Sequence, residues 1–285
     1  MQQIYSMDKT NQLKKISLVF LLVVGLIGVS YLVAPIIPAG VDWQTAFRPA
    51  ALEILSLRSP YNVPGFFNPP WATIALIPFA LFPEQVGRVL LIIAGFISYA
   101  FVAHKLGGKI WAVIALLLSP PVMHNTLNGN IDWLAMLGVI MPPQIGLFFV
   151  TIKPQIGVAI VIFWLVESWR NGGWMETIRV FSPITLVTLV SFIFFGAWPL
   201  RAQVEIDLWW NASLWPMSLP VGLVLLIASL RKRDMFFSMG ASPCFSPYIL
   251  LHSWVVAIYA VIRSTPETIA AVIGLWILVA IRLFS

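Results

Sequence analysis

The sequence predicts an all-α fold, a polytopic transmembrane bundle of about eight to ten membrane segments in a single domain over residues 1–285. Composition is the first observation, since 60% of the residues are hydrophobic and only 10% are charged, against roughly half apolar in soluble domains. The second is a series of long apolar stretches, and the third is the spacing of basic residues between them. A water-soluble fold could not bury this much apolar surface, so we expect an integral membrane protein.

The basic residues indicate membrane topology and not nucleic-acid binding. The net charge is +6, but the cations occur in ones to threes between apolar runs. Four basic clusters lie between the apolar runs: Lys9/Lys14/Lys15, Lys105/Lys109, Arg170/Arg179 and Arg231/Lys232/Arg233. The positive-inside tendency places all four clusters, and the N-terminus, in the cytoplasm. The single cysteine, Cys244, excludes an intrachain disulfide, and the motifs of soluble nucleotide-binding and hydrolytic enzymes are missing.

The first membrane helix is predicted over residues 16–37, as a retained signal anchor. Its uncharged residues 16–34 nearly span a hydrocarbon core of about 30 Å. The remaining bundle is assigned to residues 85–285. Its apolar stretches cover 85–102, 110–123, 131–151, 156–169, 181–198, 217–230, 245–262 and 268–281.

Two stretches are too short or too broken to cross as single straight helices. Residues 70–82 make a helix of only about 20 Å bracketed by prolines, and the parity of crossings favours a half-helix that dips in from the outer side. Residues 131–151 are interrupted by Met141-Pro142-Pro143-Gln144, so they form either a short hairpin or one kinked helix. We predict the hairpin, because it keeps Arg170 in the cytoplasm and leaves Lys153 near the outer face.

The outer loop over residues 38–84 is predicted to contain a helix that lies on the membrane surface. Apolar residues recur there at helical spacing, and Pro49 is expected to break this helix or to lie near its start. The apolar face is Trp43, Phe47, Ala50, Ile54 and Leu57, opposite Gln44, Arg48, Glu53 and Arg58. Asp42, at the N-terminal end of this helix, is either an N-cap or a general base that faces a membrane-embedded substrate.

Ionisable residues at the ends of membrane segments are the remaining candidates for chemistry, because charges are costly there. Asp132 follows Asn128-Gly129-Asn130 and either caps the next helix or joins Lys153 in a small polar pocket. Lys153 either belongs to that pocket or extends its amine to the interface. His252 lies among apolar and aromatic residues, where a hydrogen-bonded structural role is the common one.

Six short motifs follow one another along the chain: Val41-Asp42-Trp43, Ser59-Pro60-Tyr61, Phe67-Asn68-Pro69-Pro70, Gly129-Asn130, Ile152-Lys153-Pro154-Gln155 and Ser246-Pro247-Tyr248. Their order resembles that of the polytopic GT-C glycosyltransferases, and most closely glycosyltransferase family 87, the bacterial polyprenyl-phosphate-mannose-dependent mannosyltransferases. The likeness runs from residue 16 to about residue 170 and more faintly to residue 254.

This resemblance implies a membrane glycosyltransferase that moves a hexose, mannose in the first place, from a polyprenyl-phosphate donor to a lipid or cell-envelope glycan on the extracytoplasmic side. Asp42 is then the catalytic base, and Lys153 is the first choice for binding the departing phosphate. The other substrate-binding residues implied are Arg48, Gln155, Asn130, Asp132, Tyr61 and His252. No metal or other cofactor is expected, and the expected partners are membrane lipids, the lipid-linked sugar, its acceptor and a membrane protein complex.

Two other functions stay open. The chain is short for the family, which favours a non-catalytic subunit or scaffold with a GT-C-like fold. Broken helices also occur in small transporters and lipid flippases, although the sequence contains no paired halves.

Overall fold

The computed structural model describes residues 17–18, 21–201 and 211–284, and within these ranges it contains helices and no strand. The all-α prediction is therefore confirmed. Lys9, Lys14 and Lys15, and part of the predicted first helix, lie outside the described residues. The helices are named α1 to α13 in chain order: Leu21–Ile36, Arg48–Leu55, Trp71–Ala80, Glu84–Lys105, Ile110–Leu117, Pro120–Asn128, Asp132–Gly138, Pro143–Val150, Pro154–Phe195, Leu219–Lys232, Met235–Ala241, Val255–Ala260 and Thr265–Phe284.

Helices α4, α9 and α13 are long and apolar enough to cross a membrane, and α5 with α6 makes a fourth candidate that is bent by 48°. These helices are compatible with an integral membrane protein. The other helices in the described ranges, such as the 14-residue α10, are shorter than a span requires. By helix length and hydropathy, the described residues contain up to four candidate spans, fewer than the predicted eight to ten membrane segments. The higher number stays a prediction.

Helix α9 contains two of the predicted segments, residues 156–169 and 181–198. Its 42 residues would extend about 60 Å as one straight helix, roughly twice the hydrocarbon thickness of a bilayer. The backbone leaves helical geometry at Gly172 and Gly173, where φ is −163° and 61°. This interruption lies between the two predicted segments, as expected for two separate helices.

The predicted helix over residues 245–262 is wrong at its start, because residues 246–250 are not helical. Their backbone is hydrogen-bonded to a neighbouring loop. The Ile249 amide donates to Oδ1 of Asn211 at 3.1 Å, and the Ile249 carbonyl accepts from the Ala212 amide at 2.8 Å. Backbone groups used in this way cannot also form the hydrogen bonds of an α-helix.

The predicted helix of the outer loop is confirmed, but most of its apolar face is buried inside the protein, whereas the prediction placed that face on the membrane surface. Trp43, Phe47 and Ala50 are all buried. Leu57, predicted on the same face, is instead 96% exposed. The reason is that α2 ends at Leu55, and the backbone turns into the left-handed region at Leu57, with φ 57°.

Pro49 lies in the first turn of α2, next to a π-helical turn at Trp43–Phe47. An interior proline ring clashes with the carbonyl four residues earlier. In the π turn the Arg48 amide donates to the Trp43 carbonyl, one residue further back than in an α-helix. The wider turn lets the helix continue past Pro49.

Helices α7 and α8 form the predicted hairpin. A Cβ placed on Gly146 would lie 2.5 Å from the carbonyl oxygen of Gly138, so the two helix backbones touch. A single helix would hold these two residues about 12 Å apart, which excludes the kinked-helix alternative. Helix α3, with 10 residues, has the short length predicted for a half-helix. The membrane depth of both segments stays a prediction.

The core lies between the outer-loop helix, α4, the α7–α8 hairpin and the first part of α9. Its largest fully buried side chains include Trp43, Tyr99, Met136, Ile156 and Tyr259. The outer helices instead expose large apolar side chains, such as Ile193 at 81%, Val224 at 67% and Leu278 at 61%. Extended apolar exposure of this kind is typical of surfaces that contact lipid or another protein.

Candidate functional site

Asp42 lies in the first turn of the outer-loop helix and is half-buried. The N-cap interpretation is wrong, because the Asp42 backbone is already helical and its side chain accepts no capping hydrogen bond. Its carboxylate instead accepts a hydrogen bond from Nδ2 of Asn130, with 2.6 Å between Nδ2 and Oδ2. The carboxylate is therefore oriented by a residue from a distant part of the chain.

The loop that carries Asn130 is held in place by its own backbone and side-chain contacts. Oδ1 of Asn130 accepts from the Ile131 amide at 2.7 Å, and its carbonyl accepts from Nδ2 of Asn125 at 3.1 Å. Gly129 ends α6 in the left-handed region, with φ 69°. A Cβ on Gly129 would lie 2.6 Å from Cβ of Trp43, so only glycine lets this loop reach the Asp42 turn.

Asp132 has no exposed surface, and three side chains surround its carboxylate. Oδ2 accepts from Oγ of Ser253 at 2.7 Å and lies 2.7 Å from Nδ1 of His252. Nζ of Lys153 lies 3.3 Å from Oδ1. The capping interpretation is wrong here too, because the side chain makes no cap hydrogen bond at the start of α7. Of the two alternatives, the structure shows the one in which Asp132 and Lys153 come together, as an ion pair.

These neighbours explain how a charged carboxylate is tolerated without contact with water. Asp132 lies outside the four candidate spans. Burial alone would raise the pKa of its carboxyl, but the neighbouring His252 ring and Lys153 ammonium, with the hydrogen bonds from His252 and Ser253, hold that pKa below its usual range. Asp132 therefore carries its negative charge in the folded protein, and the Lys153 ammonium faces it.

Lys153 connects this acid to the outer-loop helix. Its side chain is 11% exposed, and Nζ lies 5.7 Å from the centre of the Phe47 ring, a distance at which a cation is attracted to an aromatic face. Phe47 follows Asp42 on the same helical segment. The short Asn130–Asp132 segment therefore connects the two carboxylates, since Asn130 contacts Asp42 and Asp132 contacts Lys153.

Two further motifs, those that contain Tyr61 and Asn68, support the backbone next to Lys153. Nδ2 of Asn68 donates to the Ile152 carbonyl at 2.9 Å, and the Tyr61 hydroxyl donates to the Asn68 carbonyl at 2.9 Å. The Tyr61 ring stacks on Trp198, with centroids 5.8 Å apart and planes at 8°. Burial raises the pKa of the Tyr61 phenol, against the opposing effect of the Arg201 cation. Tyr61 therefore supports the Lys153 loop and does not contact the two acids.

Arg48 and Gln155 are not drawn into these contacts. Nη2 of Arg48 donates to the Phe82 carbonyl at 3.4 Å. Its Nε, and Oε1 of Gln155, are buried without a hydrogen-bond partner in the described part of the chain. Each side chain therefore contains a buried polar atom whose hydrogen bond is not made by any described residue.

Three residues of the site were missed by sequence reasoning: His124, Ser253 and Arg88. His124 stacks on His252, with ring centroids 5.4 Å apart and planes at 20°. Its Nε2 lies 3.1 Å from Nδ2 of Asn128. Neither His124 nor Ser253 carries a local pattern that separates it from ordinary helix residues.

Arg88 did carry a signal, since it is a lone charge within the apolar stretch 85–102. It is 3% exposed, and its Nη2 donates to the Leu127 carbonyl at 2.7 Å. Its Nε would lie 2.6 Å from a Cβ on Gly40. Arg88 therefore fills the space beneath the turn that leads into Asp42.

Within the described ranges no group of three or more histidine, cysteine, aspartate or glutamate side chains could hold a metal ion. Neither a family model, nor a curated protein, nor a solved structure matches this chain. What the site offers is one half-buried oriented carboxylate beside a buried, charge-compensated pair.

Proposed function

We propose that this chain is a membrane glycosyltransferase of the GT-C type, which moves a hexose from a polyprenyl-phosphate donor to a hydroxyl group on the extracytoplasmic side. The hydrogen bond between Asn130 and Asp42 carries the proposal. It joins two of the motifs on which the resemblance to family 87 rests, and the Asp132–Lys153 pair joins the same loop to a third. Residues far apart in sequence thereby form one polar site in an otherwise apolar chain.

In the proposed reaction Asp42 accepts the proton of the acceptor hydroxyl. The hydroxyl oxygen forms a bond to the anomeric carbon while the bond from that carbon to the donor phosphate breaks, so the sugar configuration inverts. A general base must be within reach of the hydroxyl and correctly oriented. The half-buried position of Asp42 and the hydrogen bond from Asn130 meet this requirement.

Lys153 and Arg48 are the proposed partners of the departing phosphate. An ammonium carries three donors, so Lys153 can contact Asp132 and still present N–H groups to a phosphate. Arg48 contributes a guanidinium whose Nε has no hydrogen-bond partner among the described residues. His252 acts through Asp132 in this proposal, since the two side chains are hydrogen-bonded.

Sugar transfer by the full chain in nanodiscs tests the proposal, with synthetic polyprenyl-phosphate mannose as donor. We expect transfer by the wild type and none by Asp42→Asn. Glu53→Gln is the matched control on the same helix, because its carboxylate pairs with Arg58 and not with the site; it should transfer at the wild-type rate. Transfer by a folded Asp42→Asn variant would contradict the role of Asp42. No transfer by folded wild type from any lipid-linked sugar tried would contradict the enzyme proposal.

A non-catalytic membrane subunit is the second candidate. The ion pair between Lys153 and Asp132 favours it, because the lysine charge already has a partner in the folded chain. This candidate predicts stable co-purification with a larger membrane complex, and unchanged co-purification after Asp42→Asn or Lys153→Ala.

A further inference from the structure

A second site lies at the turn between α10 and α11, away from the two carboxylates. A cavity of about 420 Å³ opens there. Most of its wall is apolar and comes from three helices: its residues include Leu225, Phe236, Phe237, Gly240, Ala257 and Ala260. A volume of this size is large enough for part of a long apolar chain, and the apolar wall suits such a chain.

Arg263 lines this cavity, and Lys232 lies beside it; each cation contacts one of the aromatic residues of the wall. Nζ of Lys232 lies 4.6 Å from the centre of the Phe237 ring. The guanidinium carbon of Arg263 lies 3.8 Å from the centre of the Phe236 ring. Cation–π contacts of this length hold both charges close to the apolar wall.

The two cations at this rim form no ion pair with any described residue. The neighbouring Arg233 is paired with Glu167 at 2.6 Å. In contrast, Lys232 and Arg263 have no acidic partner in the described ranges. Asp234 also lines the cavity, but its Oδ1 accepts from the Phe236 amide at 3.0 Å and caps α11. The rim therefore keeps a net positive charge.

A second apolar groove reaches the same basic turn from the other side of α10. It has a volume of about 380 Å³ and is lined by Val224, Ile227 and Ala228 together with Arg231 and Lys232. Val224 is 67% exposed and Ile227 53% exposed. Apolar grooves thus run along both sides of α10 and end at cations that have no ion-pair partner in the part of the chain that the structure describes.

We propose that this site binds an anionic phospholipid. One acyl chain occupies the first cavity, of about 420 Å³, and the phosphate group lies between Lys232 and Arg263. Charge complementarity identifies the occupant, because a basic pocket between membrane helices attracts an anionic headgroup. The adjoining cavity accounts for the apolar tail. The site is separate from Asp42 and Lys153, and it does not depend on the proposed glycosyltransferase activity.

Lipid titration of the full chain in detergent, followed by native mass spectrometry, tests this site. We expect phosphatidylglycerol to bind more tightly than phosphatidylcholine. Lys232→Gln with Arg263→Gln should weaken phosphatidylglycerol binding about 30-fold, from roughly 1 kcal/mol for each basic residue near an anionic headgroup. The matched control is Arg58→Gln with Arg179→Gln, which removes the same charge from exposed ion pairs elsewhere and should leave binding unchanged.

A cavity-filling variant separates the tail site from the headgroup site. A Cβ on Gly240 makes only ordinary contacts, 3.5 Å to Ala260 and 3.6 Å to Leu225, so Gly240→Leu is expected to fold and fill the cavity. It should weaken phosphatidylglycerol binding at least about tenfold with the cations intact. Glycerol phosphate, which lacks acyl chains, should not compete.

Any of the following results would overturn the proposal. The first is equal affinity of the wild type for the two phospholipids. The second is the same affinity for the charge variant and its control. The third is wild-type binding by a folded Gly240→Leu variant, or full displacement by glycerol phosphate, either of which would show that no acyl chain occupies the cavity.

Discussion

Nδ2 of Asn130 lies 2.6 Å from Oδ2 of Asp42, although 88 residues separate them in sequence. Two residues further along the chain, Asp132 lies 2.7 Å from the His252 ring, across 120 residues. The short loop between α6 and α7 therefore organises both carboxylates of the site. Its position depends on Gly129, which packs against Trp43.

Asn130→Ala is expected to reduce sugar transfer about 100-fold, because a base that is misplaced by roughly 1 Å loses catalysis on this scale. The measurement is kcat for transfer from polyprenyl-phosphate mannose. Asn125→Ala is the matched control, since it removes an amide of α6 that holds this loop through the Asn130 carbonyl but makes no contact with Asp42. An equal loss of kcat in both variants would mean that loop stability, and not orientation of Asp42, explains the effect.

Lys153→Met is expected to destabilise the protein by about 3–5 kcal/mol, because it leaves the buried Asp132 charge without its lysine partner. The double variant Asp132→Asn with Lys153→Met should be more stable than the sum of the single variants predicts, by about 1–3 kcal/mol. Denaturant unfolding in detergent micelles measures the four proteins of this cycle. Additive effects would show that the two side chains do not interact energetically.

Acid should destabilise the wild type more than Asp132→Asn. The pKa of Asp132 lies below its usual range in the folded protein, so the unfolded chain takes up a proton first as the pH falls below about 4. The stability contributed by this carboxylate is present above that pH and is lost on further acidification. The thermal unfolding midpoint, followed from about pH 6 to pH 3, should therefore fall more steeply for the wild type. Parallel curves would contradict a charged Asp132.

Gly129→Ala is expected to be more destabilising than Gly65→Ala. Both glycines have positive φ, 69° and 81°, so alanine strains the backbone at each position. A Cβ at residue 65 meets nothing within 4 Å, whereas one at residue 129 would lie 2.6 Å from Cβ of Trp43. We expect about 1 kcal/mol for Gly65→Ala and at least about 3 kcal/mol for Gly129→Ala, from strain plus displacement. Thermal unfolding measures both, and equal losses would argue against the close approach.

Much of the fold could be predicted from local pattern, because it depends on neighbouring residues. Apolar runs marked the long helices, Gly172-Gly173 lies between two of them, and Pro142-Pro143 marked the hairpin. The helix over 245–262 failed because its backbone is hydrogen-bonded to Asn211 and Ala212, and no local rule identifies such partners.

For the candidate site, the sequence by itself identified Asp42, Asp132 and Lys153 as ionisable residues at the ends of apolar segments. It could not decide between capping and ligand roles, because that choice depends on which distant side chain reaches each carboxylate. The tertiary structure brought Asn130 to Asp42, and Ser253 to Asp132 across 121 residues. Local sequence determines where a charge enters an apolar chain, while only packing between distant segments decides what compensates it.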